Sequence, residues 1–346
     1  MLAATGSVAA QAQLLIVGID QKADIVNGKN TIRAPGHDML SILDISKPAT
    51  PRIVASIPLD NTIAGPPVNL AITPSHTIAL VADTMKGVQK GSGYGMAHDN
   101  RLFVVDLTAS PPRIIDTLTL GEGPSGLAIS PDGKLALVAN RFGGSVSVLS
   151  IDGKTVKLTD TVTIGKPEDL VSAVAISPDG KRALVNKSAA GKVAVLTIDN
   201  GKVSYDKTHD LPANNFPYNI AITPNGRLGL IANTGGGGSS DGNVDTVSVI
   251  DMTAKPIHIV DHITVGDSPE GLAISPKGNI AVTVEARGSN RAKSTWYYHP
   301  AGALSVLRIA GDRIVKTGEV KVGALPEGAA FSADGSYLYV GNFMDS

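Results

Sequence analysis

The chain predicts an all-β propeller built of four-stranded antiparallel blades, and three observations carry that expectation. First, the phrase GLAISPDGKLALVAN (residues 126–140) recurs as NLAITPSHTIALVAD from Asn69, SAVAISPDGKRALVN from Ser172, NIAITPNGRLGLIAN from Asn219, GLAISPKGNIAVTVE from Gly271 and GAAFSADGSYLYVGN from Gly328. Second, the aligned alanines Ala71, Ala128, Ala175, Ala221, Ala273 and Ala330 are spaced by about 46–57 residues, the period of propeller blades rather than helical solenoids. Third, no 3.6-residue apolar period is sustained anywhere, so helical repeats lose.

Each part of one repeat has a physical reason. GLAIS is an apolar run of strand length. In Pro131-Asp132-Gly133, proline presets the first turn residue and glycine accepts a positive φ. LALVAN completes a hairpin. Phe142-Gly143-Gly144 turns the chain into SVSVLSI, which alternates like a half-buried strand. Asp152-Gly153 leads to a more polar outer strand, VKLTDTVTI. One such sheet cannot bury both faces alone. Stacking sheets around an axis buries them against one another.

Along the chain, residues 1–12 read as the remnant of a secretory signal, with Ala10-Gln11-Ala12 fitting an A-x-A processing site, or as a flexible leader. Residues 13–346 then form a single propeller domain. LLIVGI aligns with a second strand, so the first blade lacks its inner strand. Five full blades begin near Val68, Ser125, Ser172, Tyr218 and Glu270. The segment from Glu327 supplies two strands before Ser346. That count favours seven blades with an incomplete terminal blade, and reads as a truncated fragment. A six-bladed ring is the alternative. The long insertions, 20–36, 84–100, 234–245 and 286–302, all join second to third strands and decorate one face.

Composition narrows the function classes. A net charge of −1 and no basic stripe do not indicate nucleic acid. Aromatic content of 4% demands an aliphatic core. The absence of cysteine removes disulfides, iron–sulfur clusters and covalently attached haem c. No later apolar run reaches the roughly 18 residues of a membrane span.

The second-strand endings LVAN (137–140), LIAN (230–233) and YVGN (339–342), preceded by [LI]-A-[IF]-[ST]-P-x-G, resemble YVTN-repeat propellers. The chain is similar to the large group that holds surface-layer repeats and lactonase-like propellers. The resemblance spans nearly the whole sequence and implies a seven-bladed fold that hosts enzymes, binders and scaffolds. Lactonase-like members carry a Pro-Arg-His-type motif at the inner-strand start. Here those positions read Gly123-Pro124-Ser125-Gly126, Phe216-Pro217-Tyr218-Asn219 and Ser268-Pro269-Glu270-Gly271, without the Arg-His pair.

Candidate chemistry lies where the repeat is broken. The inner-strand starts place Glu270 and Glu327 at the channel mouth, where paired carboxylates suit acid–base work. Asp83, Lys187 and Glu285 replace the asparagine that ends other second strands, where Asn serves turn capping. Glu270, Glu327, Asp83 and Glu285 are therefore the catalytic candidates. His37-Asp38 and His98-Asp99 precede third strands in neighbouring blades and could share a divalent metal. Trp296, Tyr297, Tyr298, His299 and Arg287, with Tyr218, Asn219 and Lys187, are the ligand-binding candidates, rings and cations suited to stacking and recognition. The loop 234–245 reads as a flexible polar connection. The leading expectation is a monomer, periplasmic or secreted, that binds a small ligand or protein partner on this face. The second is a lactonase-like hydrolase or a lyase/isomerase using loop His and rim Asp/Glu, with or without a metal. The third is a cell-envelope scaffold.

Overall fold

The computed structural model describes residues 13–62 and 64–344; the leader reading, on residues 1–12, falls outside them. Nearly every described element is a strand. Seven sheet units follow in chain order. The first has three strands, Leu14–Ile19, Met39–Asp44 and Arg52–Pro58. The second comprises Leu70–Ile72, Ile78–Lys90, Gly93–Asp106 and Arg113–Thr119. The third (Pro124–Ile129 to Thr155–Thr163), fifth (Pro217–Ile222 to His258–Thr264) and sixth (Pro269–Ile274 to Arg313–Lys321) are four-stranded meanders. The fourth starts at Val171–Ile176 and adds the short strand Leu211–Pro212 to four others, and the seventh holds Pro326–Phe331 and Leu338–Asn342. Strand starts lie within two residues of the sequence reading.

The Pro-Asp-Gly turns form as their chemistry requires. The Gly133 N–H donates to Ser130 O at 2.8 Å while Asp132 accepts from the Ser130 hydroxyl, and Gly133 sits at φ 71°. A methyl group at Gly226, Gly278 or Gly335 would meet Pro178, Pro224 or Pro276 of the preceding unit at 3.2–3.5 Å, so each turn rests on its neighbour. The apolar core lies between sheets. Ile42, Ile57, Val81 and Val105 join the first and second units, and Leu137, Val148, Val185 and Leu196 join the third and fourth. The Tyr339 hydroxyl donates to Pro48 O at 2.9 Å, which brings the seventh unit beside the first.

Two insertions are more ordered than loops. Residues 84–100 continue the second unit's ladder as a long hairpin, with Met85 opposite His98 and Lys90 opposite Gly93. Within 20–36, Ala23–Val26 pairs with Lys29–Ile32 around Asn27-Gly28, both at positive φ, the strongest short hairpin signal. The tip of that hairpin reaches the sixth unit, where Gly28 packs on Arg291 and Ala292.

Candidate functional site

The channel mouth is assembled by a repeated backbone device. Every inner strand from the third unit on starts with a bulge, between Pro124 and Leu127, Val171 and Val174, Pro217 and Asn219, Pro269 and Gly271, and Pro326 and Ala329. The residue before each strand (Gly123, Leu170, Phe216, Ser268, Leu325) takes a positive φ. Bulges re-aim side chains at such edges. Across the ladder stand Asn140, Lys187, Asn233, Glu285 and Asn342, at the second-strand ends where the sequence alternates asparagine with its replacements.

Glu270 and Glu327 occupy the same place in two successive repeats, each inside Pro-Glu-Gly. A side chain at Gly271 would run into Glu327 O. Only glycine lets the two inner strands approach that closely, and the approach puts the two carboxyls in hydrogen-bond contact. Both are half-buried. Burial raises Glu270 from its ordinary 4.5 to about 7, while the Ser268 hydroxyl, the Arg291 charge and the bond from Glu327 pull it down. Glu327 is pushed well above the usual carboxyl range by burial, then by the charge and hydrogen bond of Glu270. Near neutral pH the pair shares one proton, held by Glu327 and donated to Glu270, as two adjacent carboxyls must.

Tyr218 faces this pair. Burial first, then the charge of Glu270, holds its phenol protonated, and the Gly65 backbone N–H points at it. The Arg141 guanidinium lies 5.7 Å from the Tyr218 ring centre, and its Nη1 is buried without a partner, as is the Ser125 hydroxyl. The sequence reading passed over the connector that completes the site. Gly65 abuts Ser125, Pro67 abuts Gly328, and Val68 packs with Ala173 and Ile220. Val68 O also accepts from Leu127 N at 2.9 Å. A segment touching the third, fourth, fifth and seventh units crosses the axis. Gly65-Pro66-Pro67, with rigid φ at both prolines, was its only signal.

The other candidates are placed as follows. Glu285 Oε1 accepts from the Gly266 N–H at 2.9 Å and from the Thr283 and Ser305 hydroxyls, and Oε2 pairs with Arg287. Lys187 donates to Asp210 at 2.8 Å and to Ile164 O. Asp83 pairs with Arg101, which also reaches Asp60 and Asp99; burial, then Asp99, lifts Asp83 to about 8. The Asn219 amide reaches Glu270 O at 3.3 Å. Glu285, Lys187 and Asn219 thus fasten neighbouring segments. Trp296 is 80% exposed and meets Tyr297 edge-on at 5.1 Å. Arg287 also bonds Glu319, and with His299 it lines a rim cleft of about 380 Å³; Tyr298 N bonds Thr295 O.

His37, Asp38, His98 and Asp99 do not converge. Asp38 is engaged by the buried Lys22, Asp99 by Arg101, and His98 by Glu122 at 2.6 Å while stacked on Phe142; His37 is exposed. Each carboxylate already has a cation. Among the described residues no three His, Asp or Glu form a metal cluster.

Fold and site define a β-propeller with a proton-sharing carboxyl pair at its channel mouth. The family model described as the cytochrome D1 heme domain matches residues 79–247. No curated protein matches in sequence. In structure the chain is similar to a candidate 6-phosphogluconolactonase from Bacteroides fragilis (TM-score 0.65, 14% identity, 97% of this chain and 89% of that one). It is also similar to the periplasmic gluconolactonase of Pseudomonas aeruginosa (0.63, 14%, 95% and 85%) and to hydrazine synthase of Kuenenia stuttgartiensis (0.60, 19%, 82% and 75%). At these identities the likeness is one of fold. The channel mouth does not fit a haem. The connector 64–68 occupies the channel mouth, and burial opposes a phenolate ligand at Tyr218.

Proposed function

We propose that this chain is an exported lactonase-like hydrolase that opens a small lactone or related ester at the channel mouth. The proton-sharing pair Glu270–Glu327 carries the reading. A carboxylate with its pKa near 7 is the form a general base takes at neutral pH, and a carboxyl held protonated beside it is the matching acid. In this scheme Glu270 takes a proton from water as the water oxygen attacks the carbonyl carbon. The Arg141 guanidinium and the Tyr218 hydroxyl supply donors for the oxyanion. As the ring C–O bond breaks, Glu327 gives its proton to the leaving alkoxide. The fold shared with gluconolactonases supports the substrate class by analogy only.

The test is a panel of sugar lactones and simple esters. Glu270→Gln or Glu327→Gln is expected to cut turnover by about 10²-fold or more, with Trp296→Ala nearly silent. Turnover indifferent to both carboxyl changes would sink the scheme. A second reading, capture of a ligand on the loop face, is favoured by the exposed Trp296–Tyr297 pair. In that case Trp296→Ala costs roughly 2 kcal/mol of binding, the scale of an interface anchor, and no substrate is turned over.

A further inference from the structure

The loop of the fifth unit holds a second site that the acid–base pair does not use. Its sequence, Asp241-Gly242-Asn243-Val244-Asp245, sets side-chain oxygens at alternate positions, the spacing with which calcium loops begin. A cleft of about 250 Å³ is lined by Asn233, Gly235, Asp241, Asn243, Asp245 and Thr246. One oxygen of each carboxylate is engaged by a backbone N–H: Asp241 Oδ1 accepts from Asn243 at 2.9 Å, and Asp245 Oδ2 from Ser268 at 2.8 Å. Among the described residues, no hydrogen bond occupies the other oxygen of either.

Asn233 is an independent observation. It is 1% exposed, and its Oδ1 has no partner. Its orientation is settled, because Nδ2 donates to Ser248 Oγ at 2.9 Å and to Thr246 O at 3.2 Å. In the sixth and seventh units the matching oxygen is satisfied: Gly266 N–H reaches Glu285 at 2.9 Å, and Gly323 N–H reaches Asn342 at 3.1 Å. In the fifth unit Asn214 stands in place of that glycine; its side-chain amide donates to Thr246 Oγ1 at 3.0 Å, and no N–H among the described residues reaches Asn233 Oδ1. A buried acceptor left unpaired costs about 1–3 kcal/mol unless something fills the role. No basic side chain lines this cleft, in contrast to Asp38 and Asp99.

We propose that Asp241, Asn243, Asp245 and Asn233 Oδ1 bind a hard divalent cation of calcium size. Two carboxylates and two amide oxygens, without His or Cys, select oxygen-loving ions over zinc. Glycines 235–238, all at positive φ, let the loop close around the ion. With so few charged ligands the affinity falls in the extracellular range, with Kd of about 10⁻⁴ M.

The only tryptophan provides the assay. A methyl at Gly242 would meet the Trp296 ring at 2.7 Å, so Trp296 lies beside the site and can sensitise terbium luminescence. Titration of the purified chain with Tb³⁺ should show one saturable, Trp-sensitised site that Ca²⁺ displaces. Asp241→Ala, at a half-buried loop position, and Asn243→Ala, at an exposed one, should each weaken binding about tenfold or more. Circular dichroism and the melting temperature of the metal-free protein should stay the same. No saturable site, displacement by Zn²⁺ alone, or binding unchanged in both variants would overturn the proposal. None of these outcomes depends on whether a lactone is hydrolysed.

Discussion

Removing both members of the carboxyl pair, in Glu270→Gln/Glu327→Gln, should erase a defined part of the stability profile against pH. The folded chain holds the Glu270 proton with an affinity near pH 7 and the Glu327 proton more tightly still, whereas an unfolded glutamate releases its proton at about 4.5. A raised carboxyl pKa means that the folded state binds the extra proton. Its contribution is fully present below pH 4.5 and is lost as the pH climbs to 7. The shift of about 2.5 pH units corresponds to about 3 kcal/mol at most. For a chain of this size that is a melting-point fall of several degrees between pH 5 and pH 8. Asp20, Asp83 and Asp245, raised to about 6, 8 and 7, add to the fall in every variant, so the informative quantity is the difference between curves. Glu327→Gln alone keeps the Glu270 titration but removes the proton that Glu327 retains through this window, so its curve should fall between those of the wild type and the double variant. The double variant should instead gain on the wild type steadily as pH rises, measured by scanning calorimetry at several pH values. Parallel curves for the double variant and the wild type would refute the shared proton.

Two more outcomes follow from the packing. Lys187→Met leaves Asp210 buried without its cation, both side chains being about 8% exposed, and should cost about 3–5 kcal/mol in urea unfolding with lactone turnover intact. Gly271→Ala drives a methyl into Glu327 O; it should cost about 1–3 kcal/mol and shift the fall in stability to lower pH, because carboxyls pushed apart ionise independently.

Local signals carried much of the architecture. The turn Ser130-Pro131-Asp132-Gly133 encodes its own hydrogen bonds, and the alternation of SVSVLSI encodes its faces, so strand starts came within two residues. Asn27-Gly28 carried a hairpin signal that a loop reading overlooked. The channel-crossing path of Gly65 to Val68 was not legible, because its partners Ser125, Tyr218 and Gly328 are distant in the chain and nothing local marks the contact. The pair Glu270–Glu327 could be picked out because both fill the same slot of the repeat. That they share a proton depends on how closely the strands approach at Gly271, a tertiary distance. His37-Asp38 and His98-Asp99 also share a repeat phase, yet Lys22, from the insertion just before Asp38, and Arg101, two residues beyond Asp99, claim their carboxylates. A common phase places residues on one face without bringing them to one point.

Compensation separates the two kinds of departure from the repeat. Where Lys187 and Glu285 replace asparagine, each meets a partner of opposite charge, Asp210 and Arg287, and each bonds backbone just past the preceding outer strand. Such substitutions exchange one fastening for another. Glu270 with Glu327, and Asp241 with Asp245, gather like charge without an equal countercharge in contact, a costly arrangement that burial makes worse. The fold lowers that cost in two different ways. At the channel mouth a proton is retained between the carboxyls; in the fifth unit's cleft, free oxygens are left facing an unpaired amide oxygen. The first arrangement suits proton transfer and the second suits a cation. Arg291 connects them, since its guanidinium holds Ser239 and Ser240 of the cleft loop while its charge acts on Glu270. An ion that fixes the loop would therefore also fix the one cation that steadies the base.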